Sequence, residues 1–527
     1  MKRIILLFAS VCATINGMCQ MNNRDLFIIV NQAGTLNSII DKFSYQYADS
    51  ITIGGTLNGS DIRTLRHMLG GKYHETDSSE GNLQYLDISN ARIEGGGEDY
   101  LYLDVVSNPD LCHVYTSADT IGYYMFFDCP NMTHIRLPHG IKAIDDGAFQ
   151  FSQSLKDIVV PEGVETIGSA VFRNCTSLES VTFPSSLSSI GAWTVRDCTS
   201  LKSVACAATN PPMCMEETFS EMEGVTLYVP MNCADKYKQS IGWGNFKTII
   251  EVDPMDVHID NAGTLESFVN TLGLVYTDRM KVAGELNGSD IRALRLMLGG
   301  KFHETLEKSN GNLHELDISE AKIVGHGEPY LAFDVMSNPD LMYLYASDDI
   351  IGYNMFYNCP NMECIRLPHG IKAIDDGAFQ FSQSLKEIVV PEGVETIGSA
   401  VFRNCTSLES VTFPSSLSSI GAWVVRDCAS LKSVACAATD PPICTEETFG
   451  DMEGVTLYVP MNCADKYKQK CGWRNFSAIV EVIPAGIVNV DTVPETIIQN
   501  HNLQGIRIKS NLYRGIYIQN GKKFVVK

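Results

Sequence analysis

The sequence predicts an α+β repeat fold made of two tandem solenoid units, each built from turns of about 23 residues. Two observations support this prediction. The run from Ile158 to Trp193 recurs unchanged from Ile388 to Trp423, so the chain contains a tandem duplication. Within each copy an apolar residue returns every 23 positions, at Met132, Leu155, Leu178 and Leu201 and again at Met362, Leu385, Leu408 and Leu431.

The order of features along the chain predicts four segments. Residues 1–19 form a signal peptide, and residues 20–253 form a cap followed by the first repeat unit. Residues 254–483 form a cap followed by the second repeat unit, and residues 484–527 form a short β-rich segment. The chain should therefore be two solenoid stacks with their own ends.

The amino terminus has the features of a secretory signal. Lys2 and Arg3 supply the charged start, and the apolar stretch from Ile4 to Ile15 is too short to span a bilayer. We therefore expect a secreted or outer-surface protein. A lipid anchor on Cys19 is disfavoured, because Met18 stands where a small residue normally precedes a lipidated cysteine.

The front of each unit predicts a helix, a strand and a second helix. In the first copy AGTLNSIIDKF has helical periodicity and SITIGG has strand character. The second helix is predicted from Ser60 to Leu69, with Ser60 as N-cap and Gly70 as its stop. The second copy repeats it from Ser289 to Leu298.

One regular turn follows the pattern LxxIxVPxxVxxIGxxVFxxC. Apolar Ile158 and Val160 alternate with Asp157 and Val159, which predicts a short strand with one buried side. Pro161 should end that strand. Because one turn buries only about six apolar side chains, it cannot fold without neighbours.

The rest of the turn should run back under the strand. A second short extended stretch leads to Gly168, which allows a tight bend. Phe149 and Phe172 occupy the same position in adjacent turns and are expected to stack. At the back of each unit TLYVP predicts a last strand, NCADKYKQSIGW a short helix and TIIEV a closing strand. Asn520 and Gly521 near the chain end predict a tight hairpin turn.

Composition excludes two function classes. The chain has 45% hydrophobic and 19% charged residues, which is typical of a folded protein. Its formal charge of −22 would repel a phosphate backbone, so nucleic acid is excluded as a partner. Outside the signal peptide, no segment has the 18 consecutive apolar residues typical of a membrane helix, so no membrane span is expected.

No catalytic, cofactor or metal site is predicted. The sequence has neither a GxSxG elbow nor a GxxxxGK phosphate loop. His74 and Glu75 lack the second histidine of an HExxH zinc site. Asp145 and Asp146 are neighbours in one turn, whereas glycoside hydrolysis needs two acids across a cleft. We therefore expect a protein that is not an enzyme and carries no cofactor.

The cysteines allow two interpretations. Cys175 and Cys198 occupy the same position in successive turns, which favours buried thiols over disulfides. Cys206 and Cys214 lie off the regular ladder and are candidates for a local bridge, repeated at Cys436 and Cys444. A metal site is disfavoured there, because no CxxC spacing supports it.

The turn pattern resembles the BspA-like leucine-rich repeats of bacterial surface proteins over roughly Leu83 to Val252 and Leu313 to Val482. The specific marks are Ile135, Leu137 and Pro138 in the strand, Ile190 and Gly191 in the turn, Ala148 and Phe149 in the core, and a tail ending at Phe246. The resemblance implies a leucine-rich-repeat solenoid displayed outside the cell, and host or matrix protein binding. No binding residue transfers, because the family has no fixed site.

The last residues also resemble a known element. Gly515 to Tyr517 and Asn520 to Lys522 are similar to the small β-rich sorting segment at the carboxyl terminus of many surface proteins. The segment here is short, and the glycine-rich strand that normally precedes it is degraded. The resemblance implies a sorting or anchoring role.

The candidate partner-binding face consists of strand residues that alternate with the buried ones. They are Tyr85, Asp87, His134, Arg136, Asp157, Ser180, Thr182, Glu315, Asp317, Arg366, Glu387, Ser410 and Thr412. The expected function is adhesion-type binding of a host or matrix protein, with a glycan as the other partner class. Two alternatives stay open: a structural spacer without a ligand, and an enzyme with a site at a cap.

Overall fold

The computed structural model describes residues 26–43, 48–74, 81–103, 113–255, 257–302, 311–332 and 343–482, together with four short strands between 500 and 526. The predicted signal peptide, Cys19, Glu75 and the turn residues Asn520 and Gly521 lie outside these residues. The chain forms two compact units. The first includes Glu266–Thr277, and the second begins with Met255–Leu265 and continues from Asp278.

The first unit is organised by a sheet whose strands are all parallel. Strands are numbered in chain order, and the order across this sheet is β1 (Leu26–Val30), β2 (Ser50–Leu57), β3 (Tyr85–Asp87), β8 (His134–Arg136), β10 (Asp157–Val159), β12 (Ser180–Phe183), β14 (Ser203–Cys206), β15 (Thr226–Pro230) and β16 (Thr248–Val252), with β4 (Ala91–Ile93) beside β2. Each regular turn therefore contributes one strand.

The second unit repeats this sheet, again with parallel strands. Its order is β17 (Val257–Ile259), β18 (Arg279–Leu286), β19 (Glu315–Asp317), β24 (Cys364–Arg366), β26 (Glu387–Val389), β28 (Ser410–Phe413), β30 (Ser433–Cys436), β31 (Met452–Pro460) and β32 (Phe476–Val482), with β20 (Ala321–Ile323) beside β18.

A second, shorter ladder runs along each unit. In the first unit it contains β7 (Thr120–Ile121), β9 (Ala143–Ile144), β11 (Thr166–Ile167) and β13 (Ser189–Ile190); in the second it contains β23 (Ile350–Ile351), β25 (Ala373–Ile374), β27 (Thr396–Ile397) and β29 (Ser419–Ile420). Antiparallel pairs form between β5 (Gly96–Tyr102) and β6 (His113–Thr116), and between β21 (Leu331–Ala332) and β22 (Tyr343–Leu344).

The described helices lie outside the regular turns of the two stacks. They are α1 (Leu36–Phe43), α2 (Gly59–Met68), α3 (Ala234–Gln239), α4 (Leu265–Leu272), α5 (Gly288–Met297) and α6 (Ala464–Gln469), with 3₁₀ turns at Glu216–Phe219, Trp243–Asn245, Leu274–Tyr276 and Trp473–Asn475. The last strands are β33 (Asn500–His501), β34 (Arg507–Ile508), β35 (Gly515–Gln519) and β36 (Lys522–Val526). β35 and β36 pair antiparallel from Gly515 with Val526 to Gln519 with Lys522.

The interior of each stack confirms the predicted turn. The rings of Phe149 and Phe172 stack with centroids 5.5 Å apart, and Phe126 continues the column at the same spacing. Position 168 requires glycine because the neighbouring turn comes too close for a side chain: a Cβ there would lie 2.3 Å from Asp146 Oδ1. The backbone at Gly168 is not left-handed. Asp146 in turn accepts a hydrogen bond from the Ser169 amide at 2.6 Å, which is a turn role.

The front helix begins earlier than predicted. The N-cap of α2 is Asn58, not Ser60, because the Asn58 side chain accepts a hydrogen bond from the Ser60 amide at 3.1 Å. The Asp61 carboxylate accepts the Asn58 amide at 2.9 Å and closes a capping box. In the second unit Asn287, not Ser289, takes the same role for α5.

Candidate binding face

The strands place the predicted face residues in two rows across each sheet. In the second unit the first row pairs Glu315 with Cys364, Cys364 with Glu387 and Glu387 with Ser410. The second row pairs Asp317 with Arg366 and, further along, Val389 with Thr412. Neighbouring strands in a sheet lie about 4.8 Å apart, so each row forms a continuous strip of side chains.

The first unit has the same rows with different residues. Tyr85 pairs with His134, and His134 pairs with Asp157, whose carboxylate lies 3.3 Å from His134 Nε2. Asp157 pairs with Ser180, and these four residues are all half-buried. The sequence alternation therefore assigned the first row correctly to the side of the strands that reaches the surface.

Asp87 and Asp317 are buried members of the predicted face. Each is only 8% exposed, and each accepts a hydrogen bond from the serine hydroxyl two residues later at 2.6 Å. Arg366 Nη1 also lies 2.9 Å from Asp317. Burial alone would raise the pKa of Asp317, but the bonds from Ser319 and the charge of Arg366 lower it below its ordinary value. Both carboxylates therefore stabilise the sheet rather than face solvent.

Within the first unit the second row is covered by Glu266–Thr277. Arg136 forms an ion pair with Glu266, and Thr182 donates a hydrogen bond to the Asn270 carbonyl. Thr182 is consequently only 2% exposed, in contrast to its predicted outward position. The alternation of residues along a strand predicts on which face of the sheet a side chain lies. It does not predict whether a segment from elsewhere in the chain covers that face.

In the described part of the chain, two members of the equivalent row of the second unit, Arg366 and Thr412, are more exposed. The side chain of Arg366 is 53% exposed, against 34% for Arg136. Thr412 is half-buried, whereas Thr182 is buried. Glu315 is exposed, and Glu387 and Ser410 are half-buried and reach the same surface. The two nearly identical sheets therefore differ in how much of their face a partner can reach.

A polar cluster that the sequence reasoning missed lies in the first unit. Asp99 accepts hydrogen bonds from the Tyr73 hydroxyl at 2.6 Å and from His113 Nδ1 at 2.5 Å, and it pairs with Arg63. Burial favours a raised pKa for Asp99, but these three partners together lower it. Burial and then Asp99 raise the pKa of Tyr73 to about 12. The second copy has Phe302, Pro329 and Tyr343 at the equivalent positions, so comparing the copies could have identified the cluster.

We expect Asp99→Asn to lower the free energy of unfolding at pH 7 by about 1–2 kcal/mol. Because the folded pKa of Asp99 is depressed, its stabilisation is present above the ordinary carboxyl pKa and is lost as pH falls through the folded value. The difference from the original chain should therefore shrink between pH 5 and pH 2 in urea unfolding series.

Glu98→Gln is the matched control for Asp99→Asn. Glu98 also pairs with Arg63, at 2.9 Å, but its side chain is 70% exposed. Its removal should change the free energy of unfolding by less than about 0.5 kcal/mol. An Asp99→Asn effect that stayed constant across the pH range would contradict the assignment.

The cysteines of the regular turns are free thiols, as predicted. Cys175 Sγ donates to the Phe149 carbonyl at 3.1 Å, and Cys198 Sγ donates to the Phe172 carbonyl at 3.0 Å. The expected bridge between Cys206 and Cys214 is wrong, because both are free. Cys214 Sγ instead points to the Ile241 carbonyl at 2.9 Å. Cys436 and Cys444 are likewise unpaired.

The described residues contain no group of three or more His, Cys, Asp or Glu side chains arranged to hold a metal ion. Asp145 lies in a bend, and burial followed by the charge of Asp146 raises its pKa. His74 packs beside the Tyr102 ring with centroids 5.2 Å apart. Of the helices in the described part of the chain, none has the length and apolar character needed to cross a membrane.

Comparison with known structures finds weak overall likeness. A leucine-rich repeat protein from Bacteroides ovatus is 18% identical, with 80% of this chain and 88% of that chain covered and a TM-score of 0.23. The pneumococcal vaccine antigen PcpA is 16% identical, with coverages of 82% and 85% and a TM-score of 0.25. A leucine-rich cell surface protein from Faecalibacterium prausnitzii is 16% identical, with coverages of 69% and 90% and a TM-score of 0.20.

Family comparison is more specific than these structural matches. No curated protein matches the sequence. The model of the BspA type leucine-rich repeat region matches six copies, over residues 115–235 and 344–452. These ranges contain the regular turns of both units, with their parallel strands and stacked phenylalanines. Each unit therefore carries leucine-rich repeats of the BspA type in its regular turns.

Proposed function

We propose that this protein is a secreted or surface-displayed binding protein without catalytic activity, and that the strand face of its second unit binds a host or matrix protein. The observation that carries the proposal is the greater exposure, among the described residues, of the rows on β19, β24, β26 and β28 than of the covered second row of the first unit. Parallel strand ladders of repeat proteins offer continuous surfaces that suit large partners.

The chemistry of this face favours a partner with basic and hydrogen-bonding groups. Glu315 and Glu387 contribute two carboxylates to the first row, and Ser410 contributes a hydroxyl. The charge of Arg366 is directed to Asp317, 2.9 Å away, and Arg279 on the neighbouring strand lies 4.0 Å from Glu315. The whole chain has a formal charge of −22, so its field would speed the approach of a basic partner.

The location outside the cell is supported by the family and by the start of the sequence. BspA-type repeats match residues 115–235 and 344–452, one range in each unit, and residues 1–19 have the composition of a secretory signal. Free, buried thiols in the repeat ladder suit an exported protein as long as they stay inaccessible to oxidants, and Cys175 and Cys405 are both fully buried.

A binding screen tests the proposal. The chain from Met21 onward is passed over arrayed matrix proteins and glycans at low and at physiological salt. We expect saturable binding to at least one protein, weaker at the higher salt because the chain as a whole is acidic. Binding to glycans alone would mean that the partner is a carbohydrate and not a protein. The absence of any binding would favour a structural spacer. Turnover of a substrate would overturn the proposal that the protein is not an enzyme.

A further inference from the structure

Two cysteines lie against each other at the back of the second unit. Cys444 follows β30, and Cys471 follows α6, 27 positions later. The Sγ atom of Cys444 lies 2.9 Å from the backbone carbonyl oxygen of Cys471. The next residue is equally close, since a Cβ added to Gly472 would lie 2.7 Å from the same sulfur. The main chain around Cys471 therefore passes directly over the Cys444 thiol.

The first unit has the same backbone arrangement with only one of the two thiols. Cys214 is the equivalent of Cys444, and its Sγ lies 2.9 Å from the carbonyl oxygen of Ile241. Ile241 is the equivalent of Cys471 and is 71% exposed. The second copy thus places a thiol at an exposed position whose backbone already contacts a neighbouring thiol. Around this contact the copies also differ at Met215, Ser240 and Gly244, which correspond to Thr445, Lys470 and Arg474.

We propose that Cys444 and Cys471 form a disulfide bond that closes the back cap of the second unit when the protein meets an oxidising environment. A disulfide requires the two backbones to come close together, and the Cys444 sulfur already lies against the main chain at Cys471 and Gly472. The Cys471 thiol now lies 3.3 Å from Glu446 Oε1. Rotation of this exposed side chain away from Glu446 and toward Cys444 is the movement that the bond requires.

The oxidant is a small-molecule or protein disulfide, and the reaction is thiol–disulfide exchange. The exposed Cys471 loses its proton to solvent, and its thiolate attacks one sulfur of the oxidant, breaking that bond and releasing one thiolate. Cys444 then loses its proton and attacks Cys471 Sγ in the mixed disulfide, releasing the second half of the oxidant. Two protein thiols are oxidised to one disulfide, and the oxidant is reduced to two thiols.

The neighbourhood determines the order of these steps. Cys444 is half-buried, and burial followed by the charge of Cys471 raises its pKa to about 12. Cys471 is exposed, although its hydrogen bond to Glu446 also raises its pKa. The exposed thiol therefore reacts first, and closure by Cys444 should become faster as the pH rises.

The test is peptide mapping of the full chain after incubation with oxidised glutathione at pH 8. Accessible free thiols are alkylated, and the protein is digested without reduction. We expect a joined pair of peptides that contain Cys444 and Cys471, lighter than the two separate thiol peptides by two hydrogen atoms. Complete alkylation of both cysteines, or a bond from either one to another cysteine or to glutathione alone, would overturn the proposal.

The matched variant is Cys471→Ile, which restores the residue of the first unit and should therefore fold. After the same oxidation the cross-linked peptide should be absent and Cys444 should stay unbridged, like Cys214. The melting temperature of the original chain should rise by about 5 °C on oxidation. The bond closes a loop and so lowers the conformational entropy of the unfolded chain. The same rise in Cys471→Ile would assign it to other thiols and contradict the proposal.

Discussion

Asp61→Ala should cost about 3–5 kcal/mol in the free energy of unfolding of the first unit. The Asp61 carboxylate is fully buried and accepts three backbone amides, those of Gly34 at 2.6 Å, Leu36 at 2.9 Å and Asn58 at 2.9 Å. Alanine leaves these three N–H groups without their partner in the interior, and each unpaired group costs about 1–3 kcal/mol. Urea unfolding followed by circular dichroism measures the loss.

The second unit supplies the replicate for this result. Asp290 accepts the amides of Gly263, Leu265 and Asn287 at 2.6, 2.9 and 2.9 Å, so Asp290→Ala should cost a similar amount in that unit. Asp61→Asn keeps one acceptor oxygen, so its free energy of unfolding should lie between those of the original chain and of Asp61→Ala. A cost below about 1 kcal/mol for both alanine variants would show that the front caps fold without the carboxylate.

Trp473→Ala should destabilise the back cap of the second unit by about 4 kcal/mol. The indole is fully buried, contacts the rings of Phe449 and Tyr467 with centroids 4.6 and 5.0 Å away, and donates Nε1–H to the Pro442 carbonyl at 2.9 Å. Alanine leaves a cavity and an unpaired carbonyl. Trp473→Phe retains most of the packing and should cost less than half as much.

Scanning calorimetry can show which of the two units Trp473→Ala destabilises. Because Trp243 keeps the back cap of the first unit intact, one component of the transition should move to lower temperature while the other stays in place. A uniform shift of the whole transition would mean that the two units unfold together, and no shift would mean that the tryptophan is not needed for the cap.

Periodic features were predictable from the sequence because they depend on residues close together in the chain. The alternation around Ile158 gave the strand, the repetition of Phe149 and Phe172 gave the stacked column, and the back-cap segment before Trp243 gave a helix. These features follow from burial of regularly spaced apolar side chains, which a single sequence displays directly.

Features that depend on distant partners were not predictable in this way. The predicted N-cap at Ser60 is wrong for a different, local reason: the Asp61 carboxylate binds the Asn58 amide three residues earlier and closes a capping box. Thr182 alternates correctly, yet the Asn270 carbonyl covers it. The Asp99 cluster joins residues from three separate segments, so no short motif could reveal it.

The most direct test of the binding face is the change in Kd caused by Ser410→Arg, with Ser180→Arg as its twin in the first unit. Both serines lie on equivalent strands and are half-buried, so the two variants carry the same change in charge and size. With a protein partner found in the screen, Ser410→Arg should raise Kd at least tenfold, which corresponds to about 1.4 kcal/mol, and Ser180→Arg should leave it unchanged. An unchanged Kd for Ser410→Arg, with both variants folded, would contradict the assignment of the partner to the second unit's strand face.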